Sequence, residues 1–94
     1  MTETIMISVK LIKDSTFKVT VESKTTTQHE VHVENNFYQA LTKSRIGYED
    51  LIKLSFEFLL EREPNTSILS RFDLEVISQY FPEYESEIKK RFKS

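Results

Sequence analysis

The sequence has no cysteine, no tryptophan and a single glycine among 94 residues, and these scarcities close off whole classes of chemistry. Without thiols, a disulfide scaffold, a thiolate zinc site, an iron-sulfur cluster and a cysteine nucleophile are all excluded, and a reducing compartment is the expected setting. One glycine, Gly47, cannot build a Walker or dinucleotide-binding loop, which needs several glycines to bring backbone close to phosphate. Long apolar runs are missing too. The densest, L-S-F-E-F-L-L, is short and holds Glu57, so no transmembrane helix is expected. Near the N-terminus, Glu3 stands where a secretory signal carries positive charge, and Ser8 and Lys10 interrupt the apolar stretch. The expected location is the cytoplasm.

What is present suits a folded domain. Val, Ile, Leu and Phe number 6, 8, 8 and 7, and the net charge is only -2, a composition unlike that of disordered chains. A chain of this mass should bury about 65% of its unfolded surface and expose roughly 5,700 Å² when folded, enough for one core and one domain over residues 1-94.

Residues 5-34 alternate with period two: Ile7, Val9 and Leu11, then Phe17, Val19 and Val21, then Val31 and Val33, with polar residues between. Three half-buried strands are predicted. Facing residues of an antiparallel pair must share a side of the sheet, and this constrains the register. A two-residue turn at Asp14-Ser15 would set Leu11 against Lys18. A three-residue connection pairs Leu11 with Val19 instead, and the second hairpin pairs Val19 with Val31 around a tip at Lys24-Thr26.

Residues 35-93 read as helical. Asn35 and Asn36 open a short helix ending near Lys43, and Gly47 caps a main helix that runs to about Glu63, where Pro64 interrupts. Asp73 is the predicted N-cap of a helix through Tyr80, and Pro82 starts a last helix with Tyr84, Ile88 and Phe92 at every fourth position. The fold class is therefore α+β: a three-stranded antiparallel meander with three to four helices packed on one face. The main helix carries one polar stripe (Glu49, Asp50, Lys53, Glu57, Glu61) and is apolar elsewhere, with Ser55 in the apolar arc bonding a carbonyl one turn back.

The segments T-T-Q-H-E-V-H-V and S-F-E-F-L-L-E-R-E-P-N-T-S-I-L-S-R-F-D-L, followed by Y-F-P-E-Y-E, resemble a group of small uncharacterised bacterial proteins. The resemblance runs from about Thr26 to Ile88. It implies an intact natural domain and brings with it no activity, cofactor or catalytic residue.

Site chemistry is sparse. By strand parity His29 points toward the helices, where a structural role is the plain reading and a general base or ligand the sharper one, while His32 points outward. There is no H-E-x-x-H or G-x-S-x-G spacing, and Glu57 and Glu61 share the solvent stripe as an ordinary charged surface. No cofactor or metal is expected. Net charges of +1, -7 and +4 over residues 1-46, 47-87 and 88-94 make nucleic acid an unlikely partner, approachable only through Lys10, Lys18 and the basic tail. Arg62 falls on the apolar side of the main helix and is read as a clamp onto a nearby carboxylate, Asp73 first, with Glu63 and Glu75 as alternatives and a ligand or partner contact as the sharper reading. Phe56 and Leu60 border the polar stripe, where they are either covered after the chain turns at Pro64 or form a two-fold interface. These features point to a non-enzymatic protein-binding or regulatory module, with possible self-association into a homodimer. A nucleic-acid accessory protein and a small hydrolase or metal enzyme centred on His29 are the alternatives.

Overall fold

Alternating side chains build the first half of the molecule and helical spacing the second, as a computed structural model describing residues 5-93 lays out. Strands β1 (Met6-Lys13), β2 (Thr16-Glu22) and β3 (Thr26-His32) are followed by helices α1 (Asn35-Thr42) and α2 (Tyr48-Leu60). Next come a 3-10 turn at Asn65-Ser67, strand β4 (Arg71-Asp73), a second 3-10 turn at Leu74-Val76, and helices α3 (Ile77-Tyr80) and α4 (Tyr84-Lys93). The class is α+β.

The sheet corrects the three-stranded expectation. It has four strands in the order β1-β2-β3-β4, and β4 runs parallel to β3 with Val31 beside Phe72. Three residues with one buried side chain are too few to show a period of two, which is why β4 left no pattern in the sequence. Both hairpins are also displaced by one pairing step. Leu11 faces Phe17 and Val9 faces Val19, because the rejected two-residue turn at Asp14-Ser15 does occur and Ile12 bulges out to restore the parity. In the second hairpin Val19 faces His29 and Phe17 faces Val31, with Ser23-Thr25 as the connection. Apolar faces stay together in both cases.

The turn geometry needs no glycine. Ser15, Lys43 and Ser44 take left-handed φ values of 56°, 52° and 60°, whereas Gly47 has an ordinary φ of -76° as N-cap of α2. After α1 the left-handed pair is held from both sides: Ser44 N-H donates to Thr42 Oγ1 at 3.1 Å, and Ser44 Oγ donates to Gln39 Oε1 at 2.7 Å. Helix α2 ends at Leu60, three residues earlier than predicted, because the N-H groups of Arg62 and Glu63 both turn back to the Leu59 carbonyl, each at 2.9 Å. Asp73 does precede a helical turn, but its side chain makes no capping hydrogen bond.

One contiguous core joins the sheet to the helices. It includes Val19, Val21 and Val31 from the strands, Leu51, Ile52, Phe56 and Phe58 from α2, and Tyr84 and Ile88 from α4. The accessible surface is 5997 Å², close to the area-scaling value of roughly 5,700 Å². The outward face of β2 and β3 stays open to solvent.

Candidate interaction surfaces

His29, the residue with the most chemical promise, is 3% exposed and lies tilted against the Phe56 ring at 5.4 Å. Its Nδ1 is 2.7 Å from the Leu69 carbonyl, which can only accept, so Nδ1 carries a proton. Nε2 is 2.8 Å from Thr27 Oγ1, which already accepts a hydrogen bond from Asn65 Nδ2 at 3.0 Å. One consistent direction is Asn65 to Thr27 to His29 to Leu69, with Nε2 accepting from the Thr27 hydroxyl. Asn65 also donates to the Thr25 carbonyl at 2.7 Å. This relay ties β3 to the 65-70 segment and engages both ring nitrogens, so neither is available to a substrate or metal without breaking it. Among the described residues, no group of three or more His, Asp or Glu is arranged to hold a metal ion.

Arg62 has its clamp, but with other partners than Asp73. Its side chain is 26% exposed, with the guanidinium 3.6 Å above the Phe58 ring. Arg62 donates to the Phe58 carbonyl at 3.0 Å and to Glu83 at 3.3 Å, binding the end of α2 to the entry of α4. Glu61 accepts from Arg91 at 2.7 Å and from Arg62 at 3.3 Å, and the two arginines hold its carboxyl below the usual carboxylate range. Asp73 is out of this cluster because β4 carries it alongside His32 on the edge of the sheet. Arg91 of the basic tail is thus engaged within the fold. On the open sheet face Lys10, Lys18, Glu30 and Arg71 form one cross-strand row, in which Glu30 pairs with Arg71 at 3.3 Å.

Phe56 is fully buried, sandwiched by His29 and by Phe72 at 6.1 Å, and Leu60 packs partly buried on the core. The chain after Pro64 therefore does fold back over this edge of α2. Beside it, between α2, the Asn65-Ser67 turn and α3, a groove of about 250 Å³ is walled by Leu59, Ile68, Phe72 and Ile77, with Glu63 and Tyr80 at its rim.

The strongest surface feature lies at the other end of the sheet, along β1. Six large apolar side chains are exposed among the described residues, and four of them belong to β1 or its lead-in: Met6 (57%), Leu11 (53%), Ile12 (49%) and Ile5 (44%). The two sheet edges differ sharply. Strand β4 is three residues long with Arg71 and Asp73 flanking Phe72, the short, charged edge that resists further pairing. Strand β1 is eight residues long, has β2 as its one neighbour among the described residues, and carries exposed apolar groups on both faces. Its sole charged residue before the bulge at Ile12 is Lys10. The signal was available in M-I-S-V-K-L-I, whose two faces are both partly apolar, unlike β2. No helix of the described residues is long and apolar enough to cross a membrane. Compared with protein-family models, with curated proteins and with solved structures, the chain matches none.

Proposed function

We propose that this is a small non-enzymatic protein-binding module of the bacterial cytoplasm that takes up an extended protein segment along the free edge of β1. The observation that carries the reading is the eight-residue strand at the sheet edge, with Met6, Leu11 and Ile12 exposed beside the backbone groups that face away from β2. Strand addition satisfies those groups and covers the apolar side chains at the same time, with backbone bonds supplying affinity and alternate side chains specificity. The engagement of both His29 nitrogens within the fold favours binding over catalysis.

The test uses a fluorescent peptide with the sequence of residues 5-13, flanked by lysines for solubility, titrated into the full chain. Saturable anisotropy, together with amide shifts confined to β1 and its neighbours in a 15N spectrum, is the expected result. A peptide that leaves the β1 amides unmoved at millimolar concentration overturns strand addition.

A further inference from the structure

We infer that the segment taken up by β1 is the β1 of a second copy of this chain, paired antiparallel about a two-fold axis that passes midway between Val9 and Val9 of the other copy. The inference rests on the strand-addition reading and names its partner. It comes from a hidden symmetry in the strand. In a two-fold antiparallel pair, each residue faces the one whose number completes a constant sum, and the sum must be even to keep the apolar inner faces of both copies on one side.

Of the even sums, 16, 18 and 20 keep most of the strand paired with itself. A sum of 20 sets Lys10 directly against Lys10 of the other copy and Ile12 against Ser8, a like-charge contact and a mismatch. A sum of 16 sets Lys10 against Met6. A sum of 18 pairs the strand best between Met6 and Ile12: Val9 meets Val9, Ile7 meets Leu11, Met6 meets Ile12, and Ser8 meets Lys10, with a mismatch only at the ends, where Ile5 meets Lys13. The strand is a hydropathic palindrome about Val9. The inner-face residues that need cover, half-buried Ile7 and Val9 and exposed Leu11, become each other's neighbours, and so do Met6 and Ile12 on the outer face.

The bulge fits this assignment. Ile12 is the extra residue opposite β2, and it stands on the outer face near Lys18 and Glu30 rather than in the core, where it pairs with Met6 in the 18 register. The product is a continuous eight-stranded sheet, short and charged at both outer ends. Both helical layers lie on the same face.

The absence of native cysteine makes the register directly readable. Val9→Cys, Ile7→Cys and Leu11→Cys are prepared singly in the full chain and oxidised mildly at about 50 µM. Covalent dimer from Val9→Cys, and much less from the other two, is the result expected, because only Val9 faces its own copy. Ser8→Glu adds an independent arm at an exposed position that does not threaten folding. It places a carboxylate against Lys10 twice per dimer, so the dimer should tighten roughly threefold to tenfold; a self-facing register at Ser8 would weaken it instead. Light scattering should give twice the 11.1 kDa chain mass for the unmodified protein. A monomer at 50 µM, or preferential cross-linking through residue 7 or 11, overturns the inference. If the residue 5-13 peptide still binds to a monomeric chain, strand addition survives and only the self-partner falls. If neither occurs, both fall.

Discussion

Removing the hydroxyl of Ser55 should destabilise the protein more than removing the hydroxyl of Tyr84, although the two form a single hydrogen bond. Tyr84 is fully buried, with its phenol oxygen 2.6 Å from Ser55 Oγ, and Ser55 Oγ is 2.8 Å from the Leu51 carbonyl. The carbonyl only accepts, so Ser55 donates to Leu51 and Tyr84 donates to Ser55. In Tyr84→Phe the serine keeps its Leu51 partner, and the loss is one net hydrogen bond, about 1 kcal/mol. In Ser55→Ala the phenol proton stays buried with no acceptor, which costs about 1-3 kcal/mol, offset in part by roughly 0.5 kcal/mol of better helix propensity. The double variant has no orphaned donor, so it should lie well above the sum of the singles, with a coupling of about 0.5-2 kcal/mol. Each kcal/mol corresponds to about 4-8 °C in Tm for a domain this size. Urea unfolding of the four proteins, followed by circular dichroism, measures the cycle. Strict additivity of the two single losses would refute the assigned donor direction.

Burial, together with the neighbouring Glu85 charge, pushes the Tyr84 phenol above its usual value near 10, against the lowering pull of the Ser55 bond. The native state thus keeps a proton that the unfolded chain releases from about pH 10, so stability is unaffected below that pH and falls as pH rises beyond it. Tyr84→Phe should flatten this alkaline decline, measured as Tm against pH. Phe58→Ala, which empties the site bounded by Tyr84, Phe81 and the Arg62 guanidinium, should cost about 3-5 kcal/mol and leave little folded protein at 37 °C. Arg62→Met keeps the stem but loses the bonds to Glu83 and the Phe58 carbonyl, and should cost about 1 kcal/mol in urea unfolding. Leu60→Glu should leave the molecular mass in light scattering unchanged, because the edge of α2 is covered within the chain.

Much of this architecture was legible in the sequence, and the departures have identifiable causes. A small hydroxyl in an apolar helix arc has the carbonyl one turn back within reach, and Ser55 does donate to Leu51. Parity set which faces of the strands go together, but it could not separate registers two residues apart, since both satisfy the same alternation. The bulge at Ile12 was invisible because a two-residue turn plus one extra residue leaves the same pattern as a three-residue connection. Arg62 was recognisable as a clamp from its place on the apolar arc. Its partner was not, because choosing Glu83 over Asp73 depends on where β4 goes, and β4 itself is too short to signal. The exposure of β1 was hidden for a related reason: period two identifies a strand without saying how much helix lies over it.

The parallel pairing of β3 with β4 also orders the events of folding. Each hairpin of the meander closes over a few residues, whereas Glu30 meets Arg71 only after a loop of about 40 residues has closed, at an entropy cost of roughly 3 kcal/mol. A three-residue ladder cannot offset that alone; it needs Phe72 seated on Phe56 and the 65-70 segment bonded to His29. Strand β4 should therefore dock last and detach first. Native-state hydrogen exchange should find the Glu30 amide, which donates to the Ser70 carbonyl, opening through a fluctuation smaller than global unfolding while the meander beneath it remains intact.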